Sequence, residues 1–177
     1  TSIGGLHGGI GHTLPDYPDV LRRGLEAIAW EADEHIANVD LTDPDQIRKV
    51  PFWQAVARVT RAVITLARRH AAAARRLAED SAPERRAELL EIARICDKVP
   101  AGPAETFHEA LQSLWLTHLA VLMESVGVSV SMGRFDQYLF PFYRADLAEG
   151  RLSRAGAAEL LESLWIKFNE INRVFDK

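Results

Sequence analysis

Apolar residues recur along most of this chain at helical spacing, and the periodic stretches are interrupted at proline, glycine and aspartate. The set Leu21, Leu25, Ile28, Trp30 and Ile36 predicts a helix to about Asn38, entered through Pro15-Asp16-Tyr17-Pro18-Asp19, where Pro18 suits a first turn. Asp16 reads there as a cap or as a partner of the helix dipole. Val39 to Pro51 holds Asp40, Asp43, Pro44 and Asp45 and predicts a polar connection with room for a short turn of helix. From Phe52 to about Glu79 a long helix is expected on Trp53, Val56, Val59, Val63 and Leu66. Its AAAARR end combines high propensity with a thin apolar stripe, so that end is expected to stand exposed.

Two further helix starts are written as capping boxes, in which a hydroxyl and a carboxylate three residues on satisfy each other's backbone N–H groups. Ser81-Ala82-Pro83-Glu84, with proline at the second helical position, precedes Leu89, Leu90, Ala93 and Ile95; Thr106-Phe107-His108-Glu109 opens a helix to about Glu124. That second helix is apolar on most of its circumference, through Leu111, Leu114, Trp115, Leu119, Val121, Leu122 and Met123, and must be buried. After Gly127 the order Val128, Ser129, Val130, Ser131 alternates as a half-buried strand does, and Met132-Gly133 turns the chain. Helices from Gln137 to about Glu149 and from Ser153 to about Asn172 follow, parted by Gly150 as a left-handed terminator. The fold is predicted to be mainly α, with a few short strands near His12 and Ser129.

Composition narrows the function classes. A chain of 177 residues, 47% hydrophobic and 26% charged, is one domain's length and able to bury a core. The net charge of −4 comes with dispersed basic residues, so no basic stripe offers itself to a phosphate backbone, and a nucleic-acid partner is not expected. Leu111 to Met123, the longest apolar stretch, is too short to span a membrane. One cysteine excludes an internal disulfide framework and fits a reducing, cytoplasmic setting.

Candidate chemistry concentrates in two places. Gly4, Gly5, Gly8, Gly9 and Gly11 surround His7 and His12, which would let backbone and imidazole approach a small ligand with little bulk in the way. The spacing is not that of a dinucleotide-binding loop, and a histidine at such a turn can equally bond a backbone carbonyl. Ser129 and Ser131 fall on one side of the expected strand, facing either a ligand or their own backbone. Arg134 and Asp136 can pair with each other or bridge loops, or Arg134 can grip a carboxylate; a structural role is preferred. Cys96 has no histidine beside it to activate a thiolate, and none of His35, His70, His108 and His118 has the i+4 partner of a helical metal pair, so no metal site is expected.

Four blocks in order, GHTLPDYPDVLRRGLEAI at 11–28, VPAGPAETFHEALQSLWLTHL at 99–119, SVGVSVSMGRFDQYLFPFY at 125–143 and FNEIN at 168–172, together resemble the glycyl radical enzymes, the pyruvate formate-lyase-like proteins. The intact Gly133-Arg134-Phe135-Asp136-Gln137-Tyr138 is similar to the eliminase, dehydratase and decarboxylase branch more than to pyruvate formate-lyase itself. The resemblance implies that the chain is a single segment, 1–177, incomplete at both ends, of a ten-stranded α/β barrel enzyme. It further implies a lyase or dehydratase acting on a small polar substrate by thiyl-radical hydrogen abstraction, with no catalytic radical residue in this chain.

Under the same resemblance, His12 matches a histidine that contacts substrate hydroxyls and Ser129 matches a substrate-facing serine, with His7 and Ser131 as weaker candidates. Val128 stands where the diol dehydratases carry a histidine, a departure that removes a hydrogen-bond donor. The implied partners are a small-molecule substrate, a second copy in a homodimer, and an S-adenosylmethionine/iron-sulfur activating enzyme that installs the radical; no cofactor is expected to bind this segment directly. Other readings are a decarboxylase or formate acyltransferase of the same family, and, from another class, a non-catalytic helical binding or scaffold protein.

Overall fold

The structure, a computed structural model, describes residues 12–124 and 130–170. Its elements are α1 (Tyr17–Arg23), α2 (Leu25–Ala37), α3 (Pro44–Glu79), α4 (Pro83–Lys98), α5 (Phe107–Glu124), α6 (Phe135–Ala148) and α7 (Arg154–Glu170). α3, about 54 Å long at 1.5 Å per residue, is flanked by α2 and α4, while α5 runs through the middle and touches α1, α3, α4, α6 and α7.

Some helix starts have a local cause and others a distant one. The Asp16 side chain caps α1 through the Asp19 N–H, and the Asp43 side chain accepts from the N–H groups of Asp45 and Gln46 to begin α3 with Pro44 in its first turn. Gly24 separates α1 from α2. At φ 76° it takes the left-handed side of backbone space, and the first N–H groups of α2 then go to the carbonyls of Pro100 (2.7 Å) and Ala101 (3.0 Å). α5 is capped in part by Thr106, whose Oγ1 accepts from the Glu109 N–H at 3.2 Å, and in part by Asp146 of α6, which accepts from the Phe107 N–H at 2.7 Å.

The main core joins Tyr17 and Leu21 of α1, Ile95 of α4, Phe107, Leu111 and Leu114 of α5, Leu139 of α6 and Leu164 of α7. Each such side chain contributes about 1.5–3 kcal/mol of burial. A second core is built from small residues, with Ala67, Ala71, Ala74 and Ala78 of α3 set against Leu89, Ala93 and Cys96 of α4 and Leu116 of α5. Between α2 and α3 the pairs Arg61–Asp33 and Arg68–Glu26 are exposed and add little to stability.

Several expectations are corrected. No strand occurs among the described residues; of the strands expected near His12 and Ser129, positions 125–129 lie outside the described residues, and between the His12 and Ser131 segments one backbone hydrogen bond, Ser131 N–H to Thr13 C=O at 2.9 Å, stands in place of a ladder. The helix expected through Leu21–Asn38 is broken at Gly24 by the turn at 100–101. The polar connection gives way to helix at Pro44, and Pro51 is carried inside α3 on an exposed face, where water can serve the carbonyl it leaves unpaired. The capping box at Ser81 does not form: its Oγ donates to Leu77 C=O at 2.7 Å, and Ala82 precedes Pro83, which opens α4. The alanine-rich end of α3 is covered by α4 on one face instead of standing bare, and Met123, at the far end of α5, is exposed.

Candidate functional site

Two irregular segments meet beside the start of α6. One carries His12 to Asp16 and the other Val130 to Arg134, and the Ser131-to-Thr13 backbone bond joins them directly. His12 is exposed with φ 56°, a left-handed conformation that histidine tolerates better than most side chains. Ser131 is exposed too, and its Oγ accepts from the Gly133 N–H at 3.0 Å, which leaves its own O–H free to donate. Gly133 sits at φ 61°, a left-handed conformation that favours glycine, and the exposed Leu14 side chain lies against it, so that a Cβ there would come within 2.8 Å of Leu14 Cδ1 and push that side chain aside.

Beneath the two segments lies a buried polar contact. The Tyr17 hydroxyl is 2.7 Å from His118 Nδ1, and the two residues are 1% and 5% exposed. Burial pushes the Tyr17 phenol up to about 12 and the His118 imidazole down, so both stay neutral near pH 7. The pair shares one hydrogen bond whose direction follows the imidazole tautomer, with the hydroxyl donating to Nδ1 when the ring proton sits on Nε2. On the other side, the Tyr138 ring lies 6.5 Å from the Tyr17 ring and its hydroxyl donates to Met132 C=O at 2.9 Å. Sequence reasoning passed over His118 as a lone histidine; its place on an almost wholly apolar helix was the available signal, because a buried imidazole needs a partner.

The remaining candidates are placed as follows. His7 and Ser129 lie outside the described residues. Arg134 and Asp136 form a two-point pair, Nε to Oδ1 at 3.0 Å and Nη2 to Oδ2 at 2.9 Å, at the entry of α6 and open to water. Their hydrogen bond raises the guanidinium and lowers the carboxyl. Cys96 is 2% exposed, and burial, with Asp97 adding to it, pushes its thiol up to about 11, which leaves almost no thiolate at neutral pH. A cleft of about 460 Å³ between α6 and α7, lined by Phe107, Leu139, Tyr143, Ala157 and Leu161, does not include His12 or Ser131. Among the described residues no group of three His, Cys, Asp or Glu could hold a metal ion, and no helix is long and apolar enough to cross a membrane.

Comparison with known proteins gives this geometry its setting. The chain is 47% identical over 154 residues to an isethionate sulfite-lyase of Nitratidesulfovibrio vulgaris, covering 85% of this chain and 19% of that protein. Its fold superposes with a TM-score of 0.90 on a glycyl radical enzyme from Archaeoglobus fulgidus, at 44% identity over 96% of this chain and 22% of that one. It also superposes with a TM-score of 0.88 on the glycerol-bound B12-independent glycerol dehydratase of Clostridium butyricum, at 41% identity over 96% and 21% of the respective chains. The chain thus spans about a fifth of the length of these relatives. A model described as pyruvate formate lyase-like matches residues 6–177, and with these relatives it shows that the chain belongs to the pyruvate formate lyase-like family, among the glycyl radical enzymes.

Proposed function

We propose that this chain is one segment of a glycyl radical lyase or dehydratase and forms one wall of its pocket for a small polar substrate. The observation that carries the reading is the direct backbone bond between the His12 and Ser131 segments, in a chain whose relatives include enzymes named for isethionate and glycerol. His12 and Ser129 orient a hydroxyl or leaving group, with Ser131 and His7 as further contacts. The thiyl radical that takes the hydrogen atom belongs to sequence outside this chain. What this segment supplies is alignment of the substrate and exclusion of water, which a reaction through a radical needs throughout its course. The paired Arg134 and Asp136 brace the entry of α6 and leave the substrate to other groups. An S-adenosylmethionine/iron-sulfur activating enzyme as partner, a homodimer and a cytoplasmic, oxygen-free setting belong to the same proposal.

The test uses the full-length protein activated without oxygen by its activating enzyme. A glycine-centred doublet in the electron paramagnetic resonance spectrum and turnover of a small polar substrate, with isethionate and glycerol among those assayed, are expected; no doublet in competently activated samples sinks the reading. His12→Ala should keep the doublet and lower kcat/KM about 100-fold, the cost of misplacing a reacting group. Unchanged kinetics would remove His12 from the pocket.

A further inference from the structure

We propose that Tyr17, His118 and Tyr138 are positioning residues of this wall, locking the turn that carries His12 to the turn that carries Ser131 so that the two move as one unit. The purpose of the lock rests on the functional reading above; its geometry stands without it. Thr13 C=O accepts from Ser131 N–H at 2.9 Å, and Met132, next along the chain, accepts from the Tyr138 hydroxyl at 2.9 Å. The Tyr138 ring leans on the Tyr17 ring, and Tyr17 opens α1 directly after the turn that begins at His12. Thr13, Tyr17, Tyr138, Met132 and Ser131 therefore form a closed circuit, and no member moves far without breaking a hydrogen bond or a ring contact.

The Tyr17–His118 bond fixes that circuit to α5, the most widely contacted helix. A phenylalanine facing a leucine would fill the same space without the cost of desolvating two polar groups. What the polar pair adds is direction: a 2.7 Å hydrogen bond holds the ring of Tyr17 at one rotation, and through it the ring of Tyr138. Neither tyrosine nor His118 is assigned contact with substrate; they act through His12 and Ser131.

Hydrogen–deuterium exchange on the full-length resting protein tests the lock. In Tyr17→Phe and in Tyr138→Phe, exchange at the Ser131 amide is expected to rise about tenfold, with α3 and α4 unchanged. His118→Asn, which keeps a hydrogen-bonding group close to the Nδ1 position, should retain protection that His118→Leu loses. No change at Ser131 in both tyrosine variants overturns the proposal, and so does equal acceleration throughout α3 and α4, the mark of general destabilisation. In activated enzyme turning over its substrate, and provided that His12→Ala alone impairs turnover, Tyr17→Phe should lower kcat/KM about tenfold beside His12 and less than about twofold in a His12→Ala background; equal losses in both backgrounds then also overturn it. The exchange experiment needs no glycine radical, so the lock and the functional reading fail separately.

Discussion

Glu109 is 1% exposed, and its carboxylate accepts from Lys98 at 2.8 Å, Arg94 at 3.0 Å and the Glu105 N–H at 3.0 Å, tying α4 to the start of α5. Burial alone would raise its carboxyl; the bonds from Lys98, Glu105 and Arg94 outweigh burial, and the folded-state pKa is lowered. A lowered carboxyl contributes stability that is complete above its unfolded pKa and is lost as pH falls through the folded one. Glu109→Gln should cost about 2–3 kcal/mol at neutral pH, and the gap to the parent should shrink as acid protonates the parent's carboxylate, measured by urea unfolding at several pH values. A gap independent of pH would assign the cost to packing. The Thr106–Glu109 box was legible in sequence, but only the threonine half formed as written, because Lys98 and Arg94 of α4 drew the glutamate to the preceding N–H. Tyr17 and His118 were illegible as a pair: they are 101 residues apart, and no local pattern links them.

At the scale of elements, Gly24 decides how α1, α2 and the turn before α5 fit together. A Cβ there would fall 2.5 Å from the backbone carbon of Gly102 and closer still to the Ala101 oxygen, neither of which can swing aside as a side chain can. Gly24→Ala should therefore destabilise the chain by about 3 kcal/mol or more, lowering the urea midpoint, whereas Gly150→Ala, with open space around it and only a strained φ, should cost roughly 1 kcal/mol. Equal losses at the two sites would show that the approach of residues 101–102 is unimportant. Helices α5, α6 and α7 were readable from apolar spacing and from Gly150, since their faces are set by local periodicity. The break at Gly24, the early start of α3 and the lack of strands among the described residues do not follow from local pattern: they rest on a turn at residue 100, an exposed face that tolerates Pro51, and a single backbone bond from Ser131 to Thr13 in place of a ladder.

Across the whole molecule, burial is uneven. Phe140, Trp165 and Ile166 stand more than half exposed on α6 and α7, beside an apolar cleft, in a chain otherwise rich in surface ion pairs. Apolar surface of this kind favours association of the isolated chain. Trp165→Lys with Ile166→Lys should raise the concentration at which it sediments as a monomer, and no shift would place the association elsewhere. The candidate wall, by contrast, is held by contacts between the start of the described chain and residues far along it, 101 positions apart in the case of Tyr17 and His118. Closing a loop from Tyr17 to His118 carries a large entropic cost that is recovered only once the intervening helices have packed. The Tyr17–His118 contact thus depends on the packing of the helices between its two halves, and a substitution that loosens α3 or α4 should loosen this distant contact too, with both of its residues intact.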